Sequence, residues 1–111
     1  MDSVERNRQL IQSILTELAK VPYAHGNIEL QTIFDRDRDH YLLMLVGRNG
    51  PRRVHGWLVH VDIKGEKLWI QRDGTEHGVA RELLESGVPK DHIVLGFRSP
   101  EMRKISDFAV A

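Results

Sequence analysis

The chain has 111 residues, the size of one domain with its own hydrophobic core, and we expect a single domain over residues 1–111. Sixteen basic residues balance sixteen acidic ones, so there is no overall positive field to hold nucleic acid. The absence of cysteine excludes disulfides, thiolate nucleophiles and sulfur-ligated zinc. The N-terminus does not read as a signal peptide, and the longest apolar stretch, 41–46, is too short to span a membrane. We therefore expect a cytoplasmic protein.

The first half of the chain predicts one helix and two strands. Apolar residues recur at helical spacing over residues 3–20, and Asp2 and Glu5 have the separation of a capping box. Residues 28–34 alternate like a half-buried strand. Residues 41–46 are apolar at both odd and even positions, which is typical of a strand covered on both faces.

A hairpin gives the clearest pattern in the chain. Strands over 53–63 and 67–72 flank a glycine-containing turn. A two-residue turn at Gly65-Glu66 predicts three opposing pairs: Ile63 with Leu68, Asp62 with Trp69, and His60 with Gln71. One face is then apolar, with Trp57, Val59, Val61, Ile63, Leu68 and Ile70. The other face carries His60, Asp62, Trp69, Gln71 and Asp73.

A second helix is predicted directly after the hairpin. Asp73 and Glu76 are spaced as a capping box, with Thr75 as a competing cap. Three further segments follow: a short strand at 93–97, a basic connector or brief helical turn at 100–106, and an apolar tail at 108–111. We expect the tail to dock, either on its own sheet or on a neighbouring molecule.

The predicted fold class is α+β. It consists of an N-terminal helix, a four-stranded antiparallel meander, a second helix and a short C-terminal strand. Each helix has one apolar stripe, so both should cover the same apolar face of the sheet. The opposite face would then stay open.

A large amphipathic ring on that open face, Trp69, suggests a contact surface. The residues predicted to bind a partner are His60, Asp62, Trp69 and Gln71. The occupant is expected to be a partner subunit or a second copy of the chain in a two-fold dimer.

Metal and catalytic chemistry receive less support from the sequence. The six histidines, His25, His40, His55, His60, His77 and His92, show no HxxxH or HExxH spacing. His60 and Asp62 share a strand face and could ligate a metal, but a polar cross-strand neighbourhood is the favoured interpretation. We therefore predict no catalytic residue, no metal and no cofactor. A metal-dependent hydrolase using His60, Asp62 and Asp73 is the least favoured alternative.

Basic residues cluster in two places. Arg48, Arg52 and Arg53 lie in one predicted loop, and Arg103 lies near the end of the chain. A solvated loop is the default interpretation of such a cluster. Direct DNA binding through these four arginines is the alternative.

Several segments together resemble the XisI-like family, the cyanobacterial fdxN element excision controlling factor proteins. They are Trp-Ile-Gln-Arg-Asp-Gly-Thr-Glu at 69–76, Gly-Val-Pro-Lys-Asp-His-Ile-Val-Leu-Gly-Phe at 87–97 and Phe-Ala-Val-Ala at 108–111. Residues 60–64 and 33–41 are similar to that family as well. In one departure, Val46-Gly47-Arg48 stands where Val-Gly-Trp is expected at the end of the second strand.

The resemblance implies a small accessory protein that, with a companion called XisH, controls excision of a DNA element by a site-specific recombinase. It implies no catalytic residues. We therefore expect a non-enzymatic regulatory subunit that binds an XisH-like protein, contacts DNA only indirectly or weakly, and does not bind membranes.

Overall fold

The computed structural model describes residues 2–23 and 26–111. The first helix, α1, spans Ser3–Ala19, close to the predicted 3–20. Asp2 caps it by accepting a hydrogen bond from the backbone N–H of Glu5 at 2.7 Å. The Glu5 carboxylate binds Arg36, in the turn after the first strand, instead of returning to Asp2 to complete a capping box.

Within the described residues, five strands form one sheet in the order of the chain. They are β1 (Asn27–Asp35), β2 (His40–Asn49), β3 (Arg52–Lys64), β4 (Lys67–Asp73) and β5 (Ile93–Leu95). The first four strands make the predicted antiparallel meander, and β5 joins the same sheet parallel to β4. The remaining elements are α2 (Val79–Glu85), a 3-10 turn (Lys90–His92) and α3 (Pro100–Lys104).

The hydrophobic core lies between α1, α2 and one face of the sheet. The helices contribute Ile11, Ile14, Leu15, Val79 and Leu83 to it, and the strands contribute Tyr41, Leu43, Val59, Val61, Ile63, Leu68, Ile70, Ile93 and Leu95. Both helices therefore cover the same face, as predicted from their single apolar stripes. No helix in the described part of the chain is long and apolar enough to cross a membrane.

The β3–β4 hairpin confirms two of the three predicted pairs and corrects the third. Ile63 lies opposite Leu68 and Asp62 opposite Trp69, but His60 lies opposite Arg72 instead of Gln71. The register shifts between His60 and Val61, where β4 carries one extra residue. A bulge of this kind reverses the alternation of side chains beyond it.

Asp73 changes face because of this bulge, so its predicted place beside Trp69 was wrong. It pairs with Val59, a core residue, and its carboxylate accepts a hydrogen bond from the backbone N–H of Val79 at 2.6 Å. The same carboxylate accepts bonds from the N–H and hydroxyl of Thr75 at 3.0 and 2.6 Å. The capping box with Glu76 was also wrong, because α2 begins later, after Gly78.

Trp57 was wrongly predicted on the apolar face, and a second bulge explains the error. The β2–β3 register shifts between Leu43 and Met44, so that Leu43 pairs with Val59 and Met44 with Trp57. Leu58 is the extra residue, and it packs against the core. The Trp57 side chain is thereby moved to the opposite face, where the residue is 42% exposed.

The C-terminal tail docks on its own sheet. Ala109 forms a parallel bridge with Val94, and its backbone N–H donates to the carbonyl of Ile93 at 2.9 Å. The Arg103 guanidinium of α3 donates to the carbonyl of Val110 at 2.8 Å. The tail therefore covers the outer edge of β5.

Candidate functional site

A cluster of two imidazoles and one carboxylate lies on the face of the sheet opposite the helices. His40, the first residue of β2, pairs directly with Asp62 on β3. His60 precedes Asp62 by two positions on the same strand, so its side chain projects from the same face. Adjacent strands thus bring together groups that are far apart in sequence.

Asp62 is the centre of this cluster and is only 7% exposed. Its Oδ1 lies 2.6 Å from Nδ1 of His40 and 2.8 Å from Nε2 of His60. The amide of Gln71 donates to its Oδ2 at 3.4 Å. Burial on its own raises the pKa of the Asp62 carboxyl, but the hydrogen bonds from the two imidazoles outweigh it and hold the pKa below its usual range. The carboxylate is therefore ionised at neutral pH.

The sequence predicted His60, Asp62 and Gln71 as neighbours but missed His40. The imidazole rings of His40 and His60 lie 6.1 Å apart between centroids, in an edge-to-face arrangement. Placing His40 required the β2–β3 register, and the bulge beside Leu43 hides that register from a count of residues. The signal available in the sequence was that His40 opens its strand immediately after a charged turn.

Trp69 lies on this face, as predicted, while its neighbour Leu68 is fully buried on the other side of the sheet. Two cations lie over the indole: Nζ of Lys64 at 4.5 Å from the ring centroid and the guanidinium carbon of Arg103 at 5.5 Å. Such contacts stabilise by cation–π attraction. They leave the ring half-buried at the margin of the open face.

An apolar patch continues from the histidine cluster across β1, β2 and β3. Leu42 pairs with His60 on one side and with Ile33 on the other, and Met44 pairs with Trp57. Ile33 and Trp57 are 43% and 42% exposed. Within this patch Leu42 is half-buried and Met44 is only 8% exposed, so the exposed apolar surface belongs mainly to Ile33 and Trp57.

The four arginines predicted as candidate DNA contacts are not brought together. Arg48 and Arg53 lie opposite each other beside the β2–β3 turn, with Arg52 next to them, and all three are exposed. Arg103 lies over Trp69, near the other hairpin, and also donates to the carbonyl of Arg98 at 2.7 Å. The structure therefore supports one basic hairpin of three arginines.

Three other histidines in the described part of the chain lie apart from the cluster. His77 contacts the carboxylates of Glu82 and Glu85 at 3.3 Å each, on the surface around α2. His55 is exposed on β3, and His92 is half-buried in the 3-10 turn. His25 lies outside the described residues.

These features define a small α+β protein with α1 and α2 on one face of a five-stranded sheet and a polar cluster beside the exposed Trp57 on the other. The family model described as XisI protein matches residues 1–110. The chain belongs to the XisI family.

Two solved structures from Anabaena variabilis ATCC 29413 are similar to this chain over 99% of its length and 100% of theirs. One is a XisI-like protein with 36% sequence identity and a TM-score of 0.89. The other is the fdxN element excision controlling factor XisI, with 31% identity and a TM-score of 0.84. A comparison with curated proteins finds no match.

Proposed function

We propose that this chain is a non-enzymatic regulatory subunit of a DNA-element excision system and that it acts by binding an XisH-like protein. The proposal is supported by membership of the XisI family and by similarity to a protein described as the fdxN element excision controlling factor. The observation that carries it is the open sheet face with Trp57 and Ile33, each more than two-fifths exposed.

The chemistry of this face suits a protein partner. Exposed aromatic and aliphatic side chains in one patch provide the apolar centre of an interface, and tryptophan is enriched among the residues that dominate binding. His60 and Gln71 lie beside this patch and would supply polar contacts at its rim, while the buried Asp62 holds them in place. Trp69 would then contribute its exposed edge at the margin.

A non-enzymatic role is supported by the position of the cluster. His40 and His60 lie on the surface of a sheet, with side chains 45% and 32% exposed. Acid–base catalysis is favoured in a cleft that excludes water and sets its titratable groups to different pKa values. The groove beside α1 and α2 is lined by four aliphatic residues, two serines and two glutamates, with no histidine among them: Leu10, Ser13, Ile14, Glu17, Leu18, Val21, Glu82 and Ser86.

The test is the affinity of the purified chain for an XisH-like protein. Trp57→Ala should raise the dissociation constant at least about tenfold, because loss of a central aromatic contact costs about 2–4 kcal/mol. Trp69→Ala, at the margin of the face, should raise it by a smaller factor. Val21→Ala is the matched control, since Val21 is exposed on the helix side. Unchanged affinity for both tryptophan variants, with circular dichroism showing an intact fold, would refute the proposed interface.

A second candidate function is direct DNA binding by the basic hairpin. It is favoured by the exposure of Arg48, Arg52 and Arg53 around one turn. Phosphate contacts predict an affinity for duplex DNA that falls steeply with salt, and Arg53→Ala should reduce that slope by about one. The absence of any measurable binding to duplex at low salt would eliminate this candidate.

A further inference from the structure

We propose that His40, His60 and Asp62 form a binding site for a divalent transition-metal ion, with Zn²⁺ the ion best suited to the donor set. Metal binding by this cluster requires no partner, although His60 and Asp62 are shared with the proposed interface. It rests on three ligand atoms, two imidazole nitrogens and one carboxylate oxygen, all within 4.8 Å of one another. Two histidines and a carboxylate are a common ligand set for zinc, with a fourth position left for water or another group.

The atoms already point to one place. Nδ1 of His40 and Nε2 of His60 both face Oδ1 of Asp62, at 2.6 and 2.8 Å. Ligand atoms around a tetrahedral zinc ion are about 3.3 Å apart, given bond lengths of about 2.0–2.1 Å. Each imidazole therefore needs to move outward by roughly half an ångström for an ion to enter between the three groups. Both rings are partly exposed, which leaves room for that movement.

The surrounding structure would hold the ligands in place. His40 and Asp62 are directly opposite on adjacent strands, and strands position ligands more rigidly than loops do. Asp62 is buried, and Gln71 donates to the oxygen that does not face the histidines. A hydrogen bond of this kind orients a ligating carboxylate, and its loss typically weakens metal binding about 10–100-fold.

The donor set also argues for a transition metal over magnesium or calcium. Imidazole nitrogen suits zinc, copper and nickel, whereas magnesium and calcium prefer an all-oxygen set. One carboxylate and two imidazoles match a common composition of zinc sites.

The surface cluster of His77, Glu82 and Glu85 provides a matched control in the same chain. Its three ligand atoms are also close together, but its side chains are 47%, 40% and 59% exposed. It contains one imidazole in place of two, and two of its ligands project from a helix of only seven residues. We expect it to contribute little zinc affinity.

The experiment uses the full-length chain without a histidine tag, stripped with chelator and then dialysed. Titration with ZnCl₂ by calorimetry should show one ion per chain. His40→Ala and His60→Ala should each weaken binding at least about tenfold, whereas His77→Ala should leave it unchanged. Binding of Co²⁺ should give the visible absorption of a four-coordinate site, and His60→Ala should abolish it.

Gln71→Ala separates loss of zinc binding from loss of folding, because this variant keeps all three ligands. It should weaken zinc binding, while the thermal unfolding temperature of the metal-free chain stays close to that of wild type. The proposal is overturned if ZnCl₂ produces no heat and no thermal shift. It is equally overturned if the His77→Ala variant loses the ion while folded His40→Ala and His60→Ala variants retain it.

Discussion

The guanidinium of Arg8 binds the carboxylate of Asp39 through two hydrogen bonds, 2.8 Å from Nε and 3.1 Å from Nη2. Arg8 lies on α1 and Asp39 lies in the turn between β1 and β2, so the pair ties the helix to the sheet. The hydroxyl of Tyr41 donates to the same carboxylate at 2.8 Å. This arrangement fixes the turn immediately before His40, the residue that completes the polar cluster.

Replacing Asp39 by asparagine should lower the free energy of unfolding by about 1–2 kcal/mol, because hydrogen bonds to a charged group are lost. Asp39 has a left-handed backbone, with φ of 58°. Asparagine accepts that conformation, so Asp39→Asn reports on the side chain, whereas Asp39→Ala adds backbone strain and should be more destabilising. Urea unfolding measures both. Equal stability of Asp39→Asn and wild type would contradict the prediction.

The same carboxylate should make stability depend on pH. The hydrogen bond from Arg8 is the main cause that holds the pKa of Asp39 below its usual range, with a further contribution from Tyr41. A pKa lowered by folding stabilises the protein above the unfolded pKa, about 4, and this stabilisation is lost as the pH falls through the folded pKa. The difference in unfolding free energy between wild type and Asp39→Asn should therefore shrink from neutral pH to about pH 3. A difference in unfolding free energy that stays constant over this pH range would contradict the prediction.

Gly74 should accept a side chain only if Leu58 shifts, because it lies against the bulge in β3. A Cβ at this position would lie 2.9 Å from Cδ1 of Leu58 and 3.3 Å from its carbonyl oxygen. The N–H of Gly74 also donates to that carbonyl at 2.8 Å, which fixes the close approach. Gly74→Ala should therefore cost about 1–3 kcal/mol through overpacking.

Gly56 supplies the control for this substitution. It lies on the same strand as Leu58, and a Cβ there would meet nothing within 4 Å. Gly56→Ala should be neutral or slightly stabilising, because alanine has less backbone freedom to lose on folding. Equal unfolding midpoints for Gly74→Ala and Gly56→Ala would mean that the bulge does not constrain Gly74.

Removal of residues 107–111 should lower the thermal unfolding temperature and promote self-association. The truncation removes the half-buried Phe108 and uncovers the edge of β5, which Ala109 bridges in the intact chain. Unpaired strand edges recruit other chains. Thermal unfolding and light scattering at several concentrations measure both effects. Met102→Ala, an exposed change in α3, should alter neither.

The sequence predicted which segments form helices and strands better than it predicted the face of the sheet on which each side chain lies. The register was correct for Ile63 with Leu68 and for Asp62 with Trp69, because a tight turn fixes pairing within a few residues. It failed where each bulge inserts one residue, at Leu58 and next to Ile70, because a bulge depends on how neighbouring strands pair. Trp57 was misplaced for this reason.

The candidate site shows the same division between local and distant information. His60 and Asp62 were predicted together because they are two residues apart on one strand, and Gln71 followed from the hairpin. His40 was not included, since it reaches Asp62 only through pairing across 22 positions of the chain. Whether these residues bind a partner stays a prediction.

The two margins of the sheet are unequal, and this limits how copies of the protein could join by backbone pairing. The tail occupies the β5 margin, whereas β1 pairs on one side only among the described strands. A molecule with one unpaired strand edge can pair with one other molecule through that edge, and no edge is then left for a third. Strand addition could therefore produce a closed pair with two-fold symmetry, but it could not produce a fibre unless the tail were first displaced.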